Sequence, residues 1–304
     1  MSYSQRFFCG ELTEELVGRT VQLCGWVDAY RDHGGLLFIH LRDRSGLVQI
    51  VFSPETAPAE VCRASQGLRA EYCLEVAGEV RRRLPGTENP NLATGELEVF
   101  VRSMAVLAES DPLPFAISDR SLVAGAESAG GEAVSEELRL QYRYLDIRRP
   151  AMQHNLLMRH RIFQCVRRFL DERGFVEVET PNLTMSTPEG ARDYLVPSRV
   201  HQGSFYALPQ SPQLFKQLLM IGGLERYFQM ARCFRDEDLR PNRQPEFTQL
   251  DLEASFIDEE FLYELIEELA ARMFALGGIT LPRPFPRMSY AEAMDTTGSD
   301  RPDL

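Results

Sequence analysis

The segment Cys233–Asp251, CFRDEDLRPNRQPEFTQLD, carries three arginines and five carboxylates in nineteen residues. Guanidinium groups form planar, paired hydrogen bonds with carboxylates and phosphates, so this charge suits a stretch that holds a charged ligand. A solvated surface helix is the other way to carry it, but Pro241 and Pro245 each remove a helical hydrogen bond. YFQMARCF before the loop is rich in aromatic and apolar residues, and FTQLDLEASF after it alternates apolar with polar. Both read as strands, giving a hairpin with charged inner ends. A second signal is compositional. Of 33 basic residues, 32 are arginine and one, Lys216, is lysine. A lysine surviving in such a chain marks a place where a compact ammonium fits and a planar guanidinium does not.

These groups need elements to position them. The length of 304 residues fits about two domains, and 44% hydrophobic with 26% charged residues is ordinary for a globular protein. Residues 1–106 are dominated by short alternating segments: TVQLCGWVDAY, GLLFIHLRD, GLVQIVFS, YCLEVAGEVRR and GELEVFVRSMAVL. With one helical piece near ETAPAEVCRASQGLR, they predict a small antiparallel barrel of the OB type. Such barrels bind single-stranded nucleic acid on one face through aromatic platforms and scattered cations. Phe38, Arg31, Gln49 and the run Arg81-Arg82-Arg83 are candidates here, the alternative being a core Phe38 and solvated arginines. Residues 107–139 include a Gly, Ala, Ser and Glu-rich stretch and read as a linker. From 140 onward the pattern is α+β. NLLMRHRIFQCVRRFLDERG predicts a helix with Met158, Ile162, Phe163, Val166, Phe169 and Leu170 on one stripe and Gly174 as its stop. FVEVETP reads as a strand. SPQLFKQLLMIGG reads as a helix capped by Ser211 with Pro212 in its first turn, and DEEFLYELIEELAARMFALGG as another closed by Gly277.

Several classes are excluded. Neither a Walker loop nor G-x-G-x-x-G occurs, so a P-loop or Rossmann nucleotide site is not expected. Six cysteines and five histidines form no CxxC pair or metal-ligand spacing, and the cysteines read as reduced thiols of a cytoplasmic protein. No apolar run is long enough to span a membrane, and no signal peptide is visible. The net charge of −12 opposes general affinity for nucleic acid, leaving only local basic patches for an RNA partner.

Taken with these motifs, the chain resembles the bacterial-type aspartyl-tRNA synthetases, a class II aminoacyl-tRNA ligase family. FLDERGFVEVETPNL is similar to the first class motif, which implies a homodimer. Phe234, Arg235, Glu237, Arg243 and Phe247 match the second, and TPEGARDYLVP and QSPQLFKQLLM resemble the aspartate branch. The resemblance implies an OB-fold barrel followed by an antiparallel-sheet class II catalytic core. It also implies ATP-dependent activation of L-aspartate and transfer to tRNA(Asp). In that scheme Arg235 bridges the substrate carboxylate and the ATP α-phosphate, with Asp236, Glu237, Gln244 and Phe247 also at the nucleotide. Lys216 meets the aspartate side chain, Gln213 lines its pocket and Glu189 meets its ammonium. Arg31, Phe38 and Gln49 would contact the anticodon. His33 with Gly86 resembles members of relaxed specificity, which also charge tRNA(Asn).

The resemblance has a gap. The final residues, TGSDRPDL, fall where family members enter an insertion domain. The family's Mg²⁺ ligands, a second aspartate-binding arginine and the third class motif lie beyond it, and this sequence contains none of them. Residues 140–304 are thus expected to be the first part of a catalytic core, incomplete at its C-terminus and without a metal site, and nearly inactive by themselves. The alternative is a tRNA-binding or dimerising module without adenylation activity.

Overall fold

A computed structural model describes residues 6–117, 134–187, 189–238, 240–241 and 243–302. It divides into two compact units, Met1–Asn155 and Leu156–Leu304. Of the expected linker, residues 118–133 lie outside the described residues.

In the first unit, strand alternation produces five strands: β1 (Thr20–His33), β2 (Leu36–Asp43), β3 (Gly46–Phe52), β4 (Cys73–Arg82) and β5 (Leu97–Ala108). They close into a barrel in the order β1-β2-β3-β5-β4, antiparallel as expected except that β3 and β5 run parallel. Closure satisfies strand edges that an open sheet would leave bare. Because side chains alternate across a strand, Leu23, Ile39, Leu41, Ile50, Val76 and Val99 point inward and are fully buried. Phe38 and Gln49 belong to the opposite set. Gly25 is required where β1 crosses β2, since a Cβ there would lie 2.5 Å from the Arg42 carbonyl oxygen. The helical piece expected near residues 55–69 is a single helix, α1 (Ala59–Ser65).

A charged network is buried at the barrel's edge. Arg42 donates to Asp28 and Glu71, both at 2.5 Å, and Arg148 reaches Glu71 at 2.8 Å while lying over the Trp26 ring. Buried charges persist only when paired in this way. The network ties the segment after α2 (Glu136–Gln141) and α3 (Arg143–Asp146) to the barrel.

Helix α4 (Pro150–Asp171) begins five residues before the predicted Asn155 start, with proline at its first turn, where the missing N–H costs nothing. Its stripe delivers Val166, Phe169 and Leu170 to the second core, with Ile162 packed against it. Gly174 adopts φ +75° just past the helix, as its predicted stop requires. Two long strands, β9 (Arg226–Phe234) and β10 (Glu246–Ala254), pair antiparallel in full register, forming the predicted hairpin. The expected strand FVEVETP shrinks to β6 (Val176–Glu177), parallel to β9. Beyond it the Val178 N–H reaches the Phe228 carbonyl and the Thr180 hydroxyl reaches the Gln229 side chain, before Pro181 ends the possibility of ladder pairing. A short hairpin, β7 (Leu195–Pro197) and β8 (Phe205–Ala207), precedes α5 (Gln213–Ile221). Helix α6 (Glu259–Ala275) covers the sheet with Leu265 and Leu269, and its closing left-handed residue is Gly278 rather than Gly277. Helix α7 (Tyr290–Thr297) follows, closed at its start by a capping box between Ser289 and Glu292.

Candidate functional site

The β9–β10 hairpin opens at its loop end into a cavity of about 280 Å³ lined by Arg235, Glu237, Asp238, Arg243, Gln244, Pro245 and Phe247. The Arg235 N–H donates to the Pro245 carbonyl at 2.9 Å, fixing both strand ends. The Arg235 guanidinium lies 5.3 Å from the Phe247 ring centroid, a cation–π arrangement. Positive charge is therefore held against an aromatic wall in a cavity that two carboxylates also line. Asp236, expected in this group, is exposed, does not line the cavity, and instead donates its N–H to the Arg192 carbonyl at 3.1 Å. Asp238 was not anticipated and does line it.

Lys216 is buried on α5. Its ammonium lies 3.1 Å from Asp251 Oδ1, 3.3 Å from Glu253 Oε2 and 3.4 Å from the Leu252 carbonyl. Asp251 counts among the hairpin's five carboxylates, but the sequence placed neither it nor Glu253 beside Lys216. They are an i, i+2 pair in a strand, so they share a face, a signal that the alternation of QLDLEA already contained. Burial pushes the Asp251 carboxyl up, against the pull of Lys216, and its Oδ2 is buried without a hydrogen-bond partner. Burial likewise pushes the neighbouring Cys233 thiol up to about 11, so it is inert at neutral pH.

Glu189 accepts from the Ser211 hydroxyl at 2.8 Å, and its charge also acts on Asp251 and Cys233. That contact corrects the predicted cap. Ser211 precedes the cap position, which Pro212 occupies, and α5 starts at Gln213, whose N–H still reaches the Ser211 oxygen at 3.3 Å. The Glu189 loop is clamped from below by Gln210, 2% exposed, which accepts from the Ala191 N–H and donates to the Ala191 carbonyl and to Asp193. Hydrogen bonds from Ser186 and Gln210 hold the Asp193 carboxyl below its usual range. Glu189, Lys216 and Asp251 thus sit together, with Ser211 joining Glu189 to the start of α5.

On the barrel, Arg31 pairs across from Phe38, and the His33 ring meets the Phe38 ring edge-on at 6.0 Å. Gln49 donates to Glu98 at 2.8 Å. Gly86 adopts φ +86° with open space where a side chain would stand. The run Arg81-Arg82-Arg83 does not act as a unit. Arg82 pairs with Glu14, while Arg83 is buried and donates to the Leu97 and Thr87 carbonyls. The strand ends at Arg82, so the third arginine turns into the structure.

Comparison with known sequences decides what these parts belong to. Residues 135–304 match the profile of the tRNA synthetases class II (D, K and N), more than half of the chain. Residues 21–107 match the OB-fold nucleic acid binding domain of the tRNA anti-codon profile. The chain belongs to the class II tRNA synthetases of the D, K and N group. The aspartate–tRNA(Asp/Asn) ligase 1 of Syntrophus aciditrophicus is 77% identical over all of this synthetase chain and 42% of its own length. The aspartate–tRNA(Asp/Asn) ligase of Syntrophomonas wolfei is 57% identical over 97% of this chain and 48% of its own. The chain therefore spans about half the length of the curated relatives it matches. Among solved structures, asparaginyl-tRNA synthetase from Pyrococcus horikoshii, complexed with asparaginyl-adenylate, aligns with a TM-score of 0.78 at 27% identity. The alignment covers 98% of this chain and 68% of that one. The synthetase fold expected from the motifs, an OB barrel followed by part of a class II catalytic core, is the one observed. Among the described residues, no helix is long and apolar enough to cross a membrane.

Proposed function

We propose that this chain is the anticodon-binding and adenylate-forming part of an aspartate–tRNA ligase that accepts both tRNA(Asp) and tRNA(Asn). The observation that carries the reading is the hairpin cavity, where Arg235 lies over Phe247 with Glu237, Asp238, Arg243 and Gln244 as the remaining polar walls. Phe247 offers a flat apolar face to adenine, and Arg235 and Arg243 offer charge to the phosphates. In the reaction a carboxylate oxygen of aspartate attacks the α-phosphorus of ATP as the bond to the bridging oxygen breaks, and pyrophosphate leaves with the electron pair. The barrier is dominated by bringing two anions together, so positioning and charge stabilisation supply the catalysis. Arg235, fixed at its backbone by Pro245, is placed to hold carboxylate and phosphate at once. The terminal ribose hydroxyl of the tRNA then attacks the carbonyl of the adenylate and releases AMP.

Aspartate selection is assigned to Lys216, with Gln213 and Glu189. Lys216 already faces Asp251, Glu253 and the Leu252 carbonyl, so the substrate carboxylate would replace one of these partners, the longest being the Leu252 carbonyl. Asparagine brings a neutral amide and leaves the ammonium less well paired. The ammonium of the substrate meets the acidic side, where Glu189 stands. Among the described residues no group of three or more His, Cys, Asp or Glu side chains is arranged to hold a metal ion. Homodimerisation through the α4–β6 region, the division into residues 1–106, 107–139 and 140–304, and a cytoplasmic location belong to the same proposal. His33 and Gly86 on the barrel support relaxed tRNA choice, and the relatives named for tRNA(Asp/Asn) agree.

The test is a chimera in which these 304 residues replace the matching part of the Syntrophus aciditrophicus ligase. It is expected to charge transcripts of tRNA(Asp) and tRNA(Asn) with aspartate at similar rates. Strict preference for tRNA(Asp) would refute the relaxed reading, and charging with asparagine would refute the aspartate site.

A further inference from the structure

The outer face of the barrel carries more than the three residues assigned to it. Strand register sets Phe38 on β2 beside Val51 on β3, and Val51 beside Phe100 on β5, which in turn faces Glu79 on β4. Val51 is 1% exposed yet lies outside the barrel core. Its burial thus comes from the outer face, where the two phenylalanines flank it. The Arg81 guanidinium lies over the Phe100 ring, 4.4 Å from its centroid. Its Nε and Nη2 groups donate to the two oxygens of Glu79 at 3.3 and 3.2 Å, and Arg102 grips the same carboxylate at 2.6 Å. Those bonds hold the Glu79 carboxyl below its usual range. The result is a planar cation fixed at its edge and backed by a ring, with 40% of the side chain open to solvent.

We propose that Arg81, stacked on Phe100, is a second base-stacking platform of this face, receiving a loop nucleotide other than the one on Phe38. The inference rests on the reading of this face as the anticodon-binding surface. Unpaired RNA bases stack on guanidinium planes as well as on aromatic rings. Fork-shaped pairing with Glu79 occupies one hydrogen-bonding edge of Arg81 while leaving its plane free, which suits a base better than a phosphate. The spacing agrees. Phe38 and Phe100 are two strands apart, about 10 Å at the usual strand separation. Between the platforms lie Gln49 and Glu98, paired with each other in the next row and with Glu98 opposite Arg81. Gln49, half-buried and held by the buried Glu98, is placed to meet a base edge while the two platforms take base faces.

The experiment uses the 304-residue chain and RNA hairpins bearing the anticodon loop of tRNA(Asp), with 2-aminopurine placed at each loop position in turn. Two loop positions are expected to change fluorescence on binding, one lost in Phe38→Ala and a different one lost in Arg81→Gln. Arg81→Lys keeps the charge and the barrel surface but not the plane. It is expected to bind as poorly as Arg81→Gln, roughly tenfold weaker than the unaltered chain. Phe100→Leu, which removes the ring beneath, is expected to move affinity the same way. Recovery of affinity in Arg81→Lys would overturn the proposal in favour of a phosphate contact. Unchanged binding by Arg81→Gln, with Phe38→Ala still impaired, would overturn it while leaving the anticodon face intact. Loss of discrimination between this loop and an unrelated one in the unaltered chain would instead bring down the reading on which it rests.

Discussion

At the scale of single residues, the acidic lining around Lys216 dominates. Asp251 and Glu253 have one ammonium between them in a largely buried setting, and a buried carboxylate left without its cation is strongly destabilising. Lys216→Met is expected to lower unfolding stability by about 3 kcal/mol in urea titration. Adding Asp251→Asn should return more than half of that loss. A single-variant loss below about 1 kcal/mol would mean that the pair is hydrated and carries little. Lys216→Arg in the chimera should weaken aspartate binding by at least about tenfold in calorimetry, and unchanged binding would remove Lys216 from the aspartate site. This residue was legible in the sequence because it was the one lysine among 33 cations. Its acidic partners were not, because strand facing is known only once register is fixed. Arg83 failed for a related reason. Three arginines in a row look alike in sequence, and the end of β4 decides which of them turns inward.

Among the elements, long ones were legible and short ones were not. The barrel strands, the hairpin, α4 and α6 announce themselves by many repeats of alternation or of a helical stripe. The three-residue strands of the β7–β8 hairpin contain too few residues to show a period, and they went unseen. Helix α7 was missed as well, although Ser289 and Glu292 spell its capping box. Helix α6 starts at Asp258, whose side chain accepts from the Phe261 N–H at 2.8 Å. Asp258→Ala should cost about 1 kcal/mol of stability, read by chemical denaturation, and no change would mean that the first turn is held by packing alone. The Glu189 loop carries a pH dependence. Asp193 titrates lower in the folded chain than its ordinary value of 3.8. Its contribution to stability is therefore complete above that value and lost as the pH falls through the lower, folded one. Asp193→Asn should flatten the acid limb of stability against pH, and an identical limb in both proteins would show that the clamp does not depend on that charge.

On the scale of the whole molecule, an acidic chain is assigned an RNA partner, and the two facts are compatible only if binding is local. The net charge is −12, whereas the outer barrel face presents Arg31, Arg81 and Arg102. With Arg81 taken up by a base, about two cations are left for phosphates, and log Kobs should fall with log salt at a slope of about −1.4 for a single-stranded loop. A slope steeper than about −5 would indicate diffuse polyanion binding and contradict the platform picture. The barrel and the hairpin sheet were visible in outline from sequence because each has its own periodicity, whereas the first unit runs on to Asn155, past the expected start of the second region at residue 140.

Aspartate activation by the Cys233–Asp251 hairpin is read most directly by ATP–pyrophosphate exchange in the chimera. Exchange is expected to depend on aspartate and not on asparagine. It is also expected to fall by about 100-fold or more in Arg235→Gln, with the melting transition unchanged. Exchange as fast in Arg235→Gln as in the unaltered chimera would contradict activation by this hairpin.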